Sequence, residues 1–293
     1  MKIGLLGGSG QVGFDIRRAA LAQGLEISAP SSTDVNLCNA EQVTNWVATR
    51  PCDAYINCAA FTAVDAAQAD PAGAYAINKD GAKHLAQACA TTQRRVLYLS
   101  TDYVFDGNSS QAYDERAPTA PMNIYGQSKL AGEQATLSYS HGQVLRVSWV
   151  FGVHGHNFVK SILRAAMAGK PLTVVDDQFG TPCSARSIAA AALTLVQAPR
   201  LRGLYHLAAS ELTNWHAFAQ AIVAQAAACG LLDERPTVAT QPTTALNQAA
   251  RRPPHAHLSH TAITEDFGIA RSDWREELRL VIEELQATNF GAA

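Results

Sequence analysis

No apolar run in this 293-residue chain approaches the ~20 residues of a membrane-spanning helix. The N-terminus passes from Met1-Lys2 straight into a strand-like run, without the apolar region and cleavage site of a signal peptide. Net basic charge is lacking too: 23 Lys and Arg stand against 25 Asp and Glu, a formal charge of −2. That leaves no electrostatic case for a nucleic acid or a membrane surface as partner. There is no Cys-x-x-Cys pair; Cys38, Cys52, Cys58, Cys89, Cys183 and Cys229 are scattered and are expected to be reduced and buried, as small hydrophobes. The histidines, including His154/His156 and His255/His257/His260, bring no ligand set of matched softness and spacing, so no metal is expected. A cytoplasmic protein is the resulting expectation. Hydrophobic residues make up 47% and charged ones 16%, which supports a well-buried core and argues against disorder.

What is present is an alternation of strand-like and helix-like segments, which predicts an α/β chain with a doubly wound parallel sheet of Rossmann type. Lys2–Leu6 reads as a strand, Phe14–Gln23 as a helix, Leu25–Ala29 as a strand, Ala40–Thr49 as a helix and Asp53–Cys58 as a strand. A long helix over Ala72–Thr91 precedes a strand at Val96–Leu99, and Asp106–Asn123 is a Gly-, Pro- and acid-rich loop. Tyr125–Leu137 follows as a helix and Val144–Phe151 as a strand. After Gly152 the character changes: helices at Phe158–Ala168, Ser184–Gln197, Trp215–Cys229 and Asp273–Glu284 alternate with strands at Leu172–Val175 and Gly203–Leu207, and Thr237–Pro254 reads as loop. Residues 1–152 are therefore expected to be a nucleotide-binding domain. Residues 153–293 should be mainly a smaller substrate-binding α/β region, with some segments returning to the first.

Gly7, Gly10 and Gly13 sit between the first strand and the first helix. Glycines there allow a tight turn and close approach of a pyrophosphate to the helix N-terminus, so a dinucleotide is expected. The second strand ends in Pro30-Ser31-Ser32, with Glu26 at its start and Asp34 out in the loop. No acid is placed to repel a ribose 2′-phosphate, so NADPH is the expected cofactor, with NADH also permitted. The small residues Ala59 and Ala60 end the third strand, where a cofactor comes close in open parallel sheets.

Thr101 lies at the end of a later strand, and Tyr125 and Lys129, four apart, share one helix face. A phenol beside an ammonium has a lowered pKa and can act as general acid. The expected chemistry is hydride transfer to a carbonyl: Thr101 bonds the carbonyl oxygen, Tyr125 gives the proton, and Lys129 lowers the Tyr125 pKa and holds the ribose hydroxyls. Plain packing explains some neighbours equally well. His206 reads as a core residue. Trp149 could pack or stack on substrate, and one of Tyr103 and Phe105 should face the core and the other the site. Arg186 and Arg252 could meet phosphates or be solvated. An ordinary pair between Glu133 and Lys129 would take the lysine out of the chemistry.

The strings Ser100-Thr101-Asp102-Tyr103-Val104-Phe105-Asp106-Gly107 and Tyr125-Gly126-Gln127-Ser128-Lys129 occur with Gly7–Gly13, Ala59–Asp65, Ser148–Gly152 and Asp177–Pro182. Together they resemble, over nearly the whole chain, the dTDP-4-dehydrorhamnose reductase family of the extended short-chain dehydrogenase/reductases. The resemblance implies reduction by NAD(P)H of the 4-keto group of a dTDP-6-deoxy-hexulose, with Thr101, Tyr125 and Lys129 as the catalytic set. It places Asp102, Tyr103, Trp149 and Arg252 near the nucleotide sugar. It places Gly10, Gln11, Val12, Ala59, Ala60 and Thr62 along the cofactor, with Asn36-Leu37 in the adenine region. The family pattern also has Arg-Pro-x-Asn-Ser-x-Leu-Asp where this chain has Arg252-Pro253-Pro254-His255-Ala256-His257-Leu258-Ser259. A homodimer is compatible with the resemblance. A regulatory subunit of the same fold and a sugar-nucleotide epimerase are the alternatives.

Overall fold

A computed structural model describes residues 1–198 and 203–291. The nucleotide-binding half runs β1 (Lys2–Leu6), α1 (Gln11–Ala22), β2 (Glu26–Ser28), α2 (Ala40–Thr49), β3 (Ala54–Asn57), α3 (Val64–Ala69), α4 (Pro71–Tyr75), α5 (Ala82–Thr91), β4 (Arg95–Thr101), α6 (Ile124–Leu137) and β5 (Gly142–Val147). The rest runs β6 (Val150–Phe151), α7 (Phe158–Met167), β7 (Leu172–Val175), β8 (Phe179–Gly180), β9 (Cys183–Ser184), α8 (Ala185–Gln197), β10 (Leu204–His206), β11 (Thr213–Asn214), α9 (Trp215–Ala228), β12 (Val238–Gln241), β13 (His255–Ala256), α10 (Thr261–Phe267) and α11 (Trp274–Ala287).

The expected parallel sheet is present: six strands in the order β10-β5-β4-β3-β1-β2, every pair parallel. β3 and β5 are buried along their whole length, as strands covered on both faces must be. One face carries α1 packed on α8, the other α2 packed on α5. Both β10 and α8 come from beyond residue 152 and complete this half. A separate apolar core joins α7, α9, α11, β7 and β12, around Phe218, Trp274 and Leu278.

Four local readings are corrected. The Ala72–Thr91 helix is interrupted by a π-turn at Ala76–Gly81, where one extra residue per turn swings Asn78 into the interior. The strand read through Val144–Phe151 breaks at Ser148-Trp149: β5 stays in the main sheet, while β6 pairs with β9. Trp149 makes the break with a left-handed φ of 44°, an unusual conformation for a bulky residue. Inside the stretch read as loop, Val238–Gln241 pairs in parallel with β7. Only Val238 of β12 is fully buried, so the apolar pattern there is too thin to announce a strand. Finally, Cys38 is exposed rather than buried, and Cys58 and Cys229 are half-buried.

Candidate active site

The glycine turn is built by contact as much as by φ. Gly7 has φ +76°, and a Cβ there would lie 2.6 Å from the Ala59 nitrogen. A Cβ on Gly13 would lie 2.1 Å from the Gly7 carbonyl oxygen. The turn is thereby packed tightly between α1 and the end of β3. Gly10 caps α1 with no side-chain hydrogen bond, so no side chain stands over the free N–H groups of the first turn. A groove of about 340 Å³ opens there, bordered by Gly7, Gly10, Ser31, Ser32, Asn36, Leu37, Cys58, Ala59 and Ala60. Its shape, small-residue walls and exposed helix N-terminus fit a dinucleotide. Asp34 is not on this wall; its carboxylate accepts from the Ser31 amide and hydroxyl.

Not every expected cofactor residue borders this groove. Gln11 instead ties α1 to the segment after β6: its Nε2 donates to the Val150 carbonyl at 3.4 Å, and its Oε1 accepts from Asn157 at 2.7 Å. Val12 packs against the sheet core, Gly13 lies beneath Gly7, and Thr62 is exposed.

A second cavity of about 300 Å³ lies in the other half of the chain, walled by Tyr103, Phe158, Gln178, Trp215, Gln248 and Arg252, among others. The helix face of Tyr125 and Lys129 stands between the two cavities. Tyr103 from one wall meets Tyr125 edge-on, with ring centroids 5.6 Å apart. Cys58 from the other wall lies close to Lys129.

The catalytic candidates converge at the carboxyl end of β4. Thr101 Oγ1 donates to Asp102 Oδ1 at 2.9 Å and accepts from the Tyr103 amide at 3.2 Å. The Thr101 hydroxyl also lies close to the Tyr125 phenol. Lys129 is buried, donates to the Leu99 carbonyl at 2.5 Å and sits 4.0 Å from the Tyr98 ring centroid. Asn123 caps α6, its Oδ1 accepting from the Gly126 amide at 2.9 Å, which fixes the first turn that carries Tyr125.

The expected lowering of the Tyr125 pKa is not found. Burial pushes the phenol up to about 12, and the contact that pulls it down is Thr101. Lys129 is itself moved by burial, down to about 7, with Glu133 opposing the shift. Desolvation outweighs the neighbouring charge for both groups. Glu133 does not occupy Lys129 in an ordinary pair; both its oxygens take Arg146, at 2.8 and 2.6 Å. Asp102 is pushed by burial up to about 7, and its Oδ2 has no hydrogen-bond partner among the described residues.

Trp149 stacks on Trp215 at 3.6 Å, and it is Trp215 that borders the second cavity. Of the alternating pair, Phe105 is fully buried and Tyr103 borders the cavity. His206 is a core residue with both ring nitrogens bonded, to Arg146 and to the Tyr113 carbonyl. Arg186 pairs with Glu284 on α11 at 3.2 Å. Asn78 was missed by the sequence reading. From the π-turn its Oδ1 accepts from the Phe61 amide at 2.8 Å, and its Nδ2 donates to Ser128 Oγ at 2.9 Å, so it clamps the Ala59–Thr62 loop to α6. An amide inside an otherwise apolar helical pattern was the available signal. Trp215 and Gln178 were missed as cavity walls, since a wall formed by tertiary packing leaves no local spacing.

The family model described as RmlD substrate binding domain matches residues 1–287. A dTDP-4-dehydrorhamnose reductase of Burkholderia thailandensis is 38% identical over 299 residues, covering 97% of this chain and 99% of the relative. Among solved structures, a dTDP-4-dehydrorhamnose reductase of Clostridium acetobutylicum superposes with a TM-score of 0.91 at 30% identity, over 98% of this chain and 100% of that one. The Bacillus anthracis dTDP-4-dehydrorhamnose reductase, solved in complex with NADP, superposes with a TM-score of 0.90 at 30% identity, over 97% and 99%. With the glycine turn, the Thr101–Tyr125–Lys129 cluster and this match over almost its full length, the chain belongs to the dTDP-4-dehydrorhamnose reductase family.

Proposed function

We propose that the chain is an oxidoreductase that uses NAD(P)H to reduce the 4-keto group of dTDP-4-dehydro-L-rhamnose, giving dTDP-L-rhamnose. The observation that carries the reading is the Thr101–Tyr125 hydroxyl pair, set beside Lys129 between the glycine-turn groove and the Trp215-walled cavity. When bound in the groove, the reduced nicotinamide supplies the hydride that reaches the carbonyl carbon. Tyr125 then gives its proton to the carbonyl oxygen. A phenol held near 12 keeps its proton at neutral pH, and an alkoxide is basic enough to take it. Thr101 orients the same oxygen. Lys129 keeps one N–H on the Leu99 carbonyl and has further donors for the ribose hydroxyls and for the charge that develops on Tyr125. Asp102 holds the Thr101 hydroxyl, while Tyr103 and Arg252 border the nucleotide end.

Gly7 and Gly10 would hold the pyrophosphate, with Gly13 letting α1 pack beneath the turn, and Asn36, Leu37, Ala59 and Ala60 would line the adenosine side. Ser31 and Ser32, in place of an acid, favour NADPH, with NADH also accepted. Residues 1–152 together with β10 and α8 act as the nucleotide-binding half, and most of the remainder forms the sugar-nucleotide half. No helix among the described residues is long and apolar enough to cross a membrane, in keeping with a cytoplasmic enzyme. Loss of NADPH absorbance on addition of dTDP-4-dehydro-L-rhamnose tests the reading; no turnover with either reduced nicotinamide would sink it.

A further inference from the structure

Asp65 follows the loop that borders the cofactor groove and lies in the first turn of α3. Arg252, on the wall of the sugar-nucleotide cavity, crosses to it from the other half of the chain. Arg252 donates from NH1 to Asp65 Oδ1 at 2.8 Å and from NH2 to Oδ2 at 2.6 Å. Oδ1 also accepts from the Ala250 amide at 3.0 Å. The same guanidinium bonds the Ala250 carbonyl and lies close to the Tyr103 side chain. One residue earlier, the Arg251 carbonyl accepts from Asn123 at 2.7 Å, and Asn123 is the cap of the helix carrying Tyr125.

Residues 244–249 between these contacts are mostly exposed. At their other end, Thr243 is tied to Asp177 and Gln178. The segment has little apolar burial of its own, so its place over the cavity depends on polar ties at its two ends. A bidentate carboxylate and a carbonyl take three of the five N–H donors of Arg252 and hold its guanidinium against the protein.

We propose that Asp65 and Arg252 form a latch. The latch fixes residues 246–252 as the outer wall of the sugar-nucleotide cavity, and Arg252 acts as a positioning residue that holds this wall beside Tyr103. The Tyr103 ring then presses edge-on against Tyr125, so the latch sets both the cavity wall and the face of the proton donor. The substrate side of this inference rests on the reductase reading; the latch itself does not.

The test is Asp65→Asn, with Arg252→Lys as a milder variant that keeps the charge and can reach one oxygen. Steady-state kinetics with dTDP-4-dehydro-L-rhamnose, NADPH binding and backbone hydrogen exchange are measured on each. Breaking this partly exposed bidentate pair should raise KM for the sugar nucleotide roughly tenfold in Asp65→Asn, and less in Arg252→Lys. NADPH affinity should stay within about twofold, below the ~1.4 kcal/mol of a tenfold change. Amides of residues 246–252 should exchange faster, Ala250 above all. Unchanged exchange there overturns the latch, whether or not the wild type turns over this substrate. Faster exchange with an unchanged KM overturns the positioning role. A lowered KM does so too, because it would mean that Asp65 had been competing with phosphate for Arg252. A wild type without turnover sinks the functional reading alone and leaves exchange to decide the latch.

Discussion

Glu133 and Arg146 form a bidentate ion pair in the interior, at 2.8 and 2.6 Å, one helical turn beyond Lys129. Ser100 donates to the same carboxylate at 2.5 Å, and Arg146 donates to His206 at 3.2 Å. Both carboxylate oxygens are therefore taken, beside the catalytic candidates, and Lys129 keeps its own bond to the Leu99 carbonyl.

Removing one member of such a pair strands the other charge in a low dielectric. Glu133→Ala should lower unfolding free energy by roughly 3–5 kcal/mol, measured by urea denaturation. Replacing both partners with apolar residues, Glu133→Leu with Arg146→Met, should cost much less. Equal losses in the single and double variants would remove the uncompensated charge from the explanation.

His206 gives a pH signature of stability. Burial holds it well below its ordinary 6.5, at about 3, with the Arg146 charge pushing the same way and the bond to the Tyr113 carbonyl opposing. The unfolded chain binds the proton that the folded chain refuses. Its contribution is therefore fully present above pH 6.5 and is lost as pH falls toward 3. His206→Gln can keep a donor and an acceptor but does not titrate. Its stability should fall less steeply than the wild type's between these values, as read from denaturation midpoints against pH.

Gly7→Ala places a Cβ against the Ala59 backbone at a positive φ. The strain should cost about 1–3 kcal/mol of stability. Because the turn must shift to relieve it, NADPH affinity should also fall by roughly tenfold or more, equivalent to at least ~1.4 kcal/mol. Fluorescence titration with NADPH checks this; an unchanged affinity would place the pyrophosphate elsewhere.

Lys129 sits near 7 in the free protein. If its ammonium is the active form, kcat/KM, which reports the free enzyme, should decline as pH rises through about 7. Lys129→Met should cut turnover by roughly 10²-fold or more, as loss of a charge-stabilising donor does, and its residual activity should lack that alkaline limb. A limb that persists in the variant belongs to another group, with Asp102 the first to examine.

The parallel sheet was legible in the sequence because its strands are buried on both faces and read as short apolar runs between glycines and helices. The Tyr125–Lys129 spacing and Thr101 at a strand end were legible for the same reason: local periodicity fixes them. What was hidden depends on contacts between segments far apart in the chain. The π-turn that swings Asn78 inward looks locally like continuous helix. The left-handed Trp149 sits inside a stretch that reads as one continuous strand. β12 is an exposed strand recognisable only beside β7. The Tyr125 pKa was misjudged in sign, because charge proximity can be read from spacing while desolvation can be read only from packing.

The central claim is that Tyr125 supplies the proton in reduction of a 4-keto sugar nucleotide. The measurement that tests it most directly is NADPH oxidation with dTDP-4-dehydro-L-rhamnose by the wild type and by Tyr125→Phe. The account predicts turnover by the wild type and a loss of about 10²–10⁴-fold in the variant, with NADPH still bound. Near-normal turnover by Tyr125→Phe would contradict it.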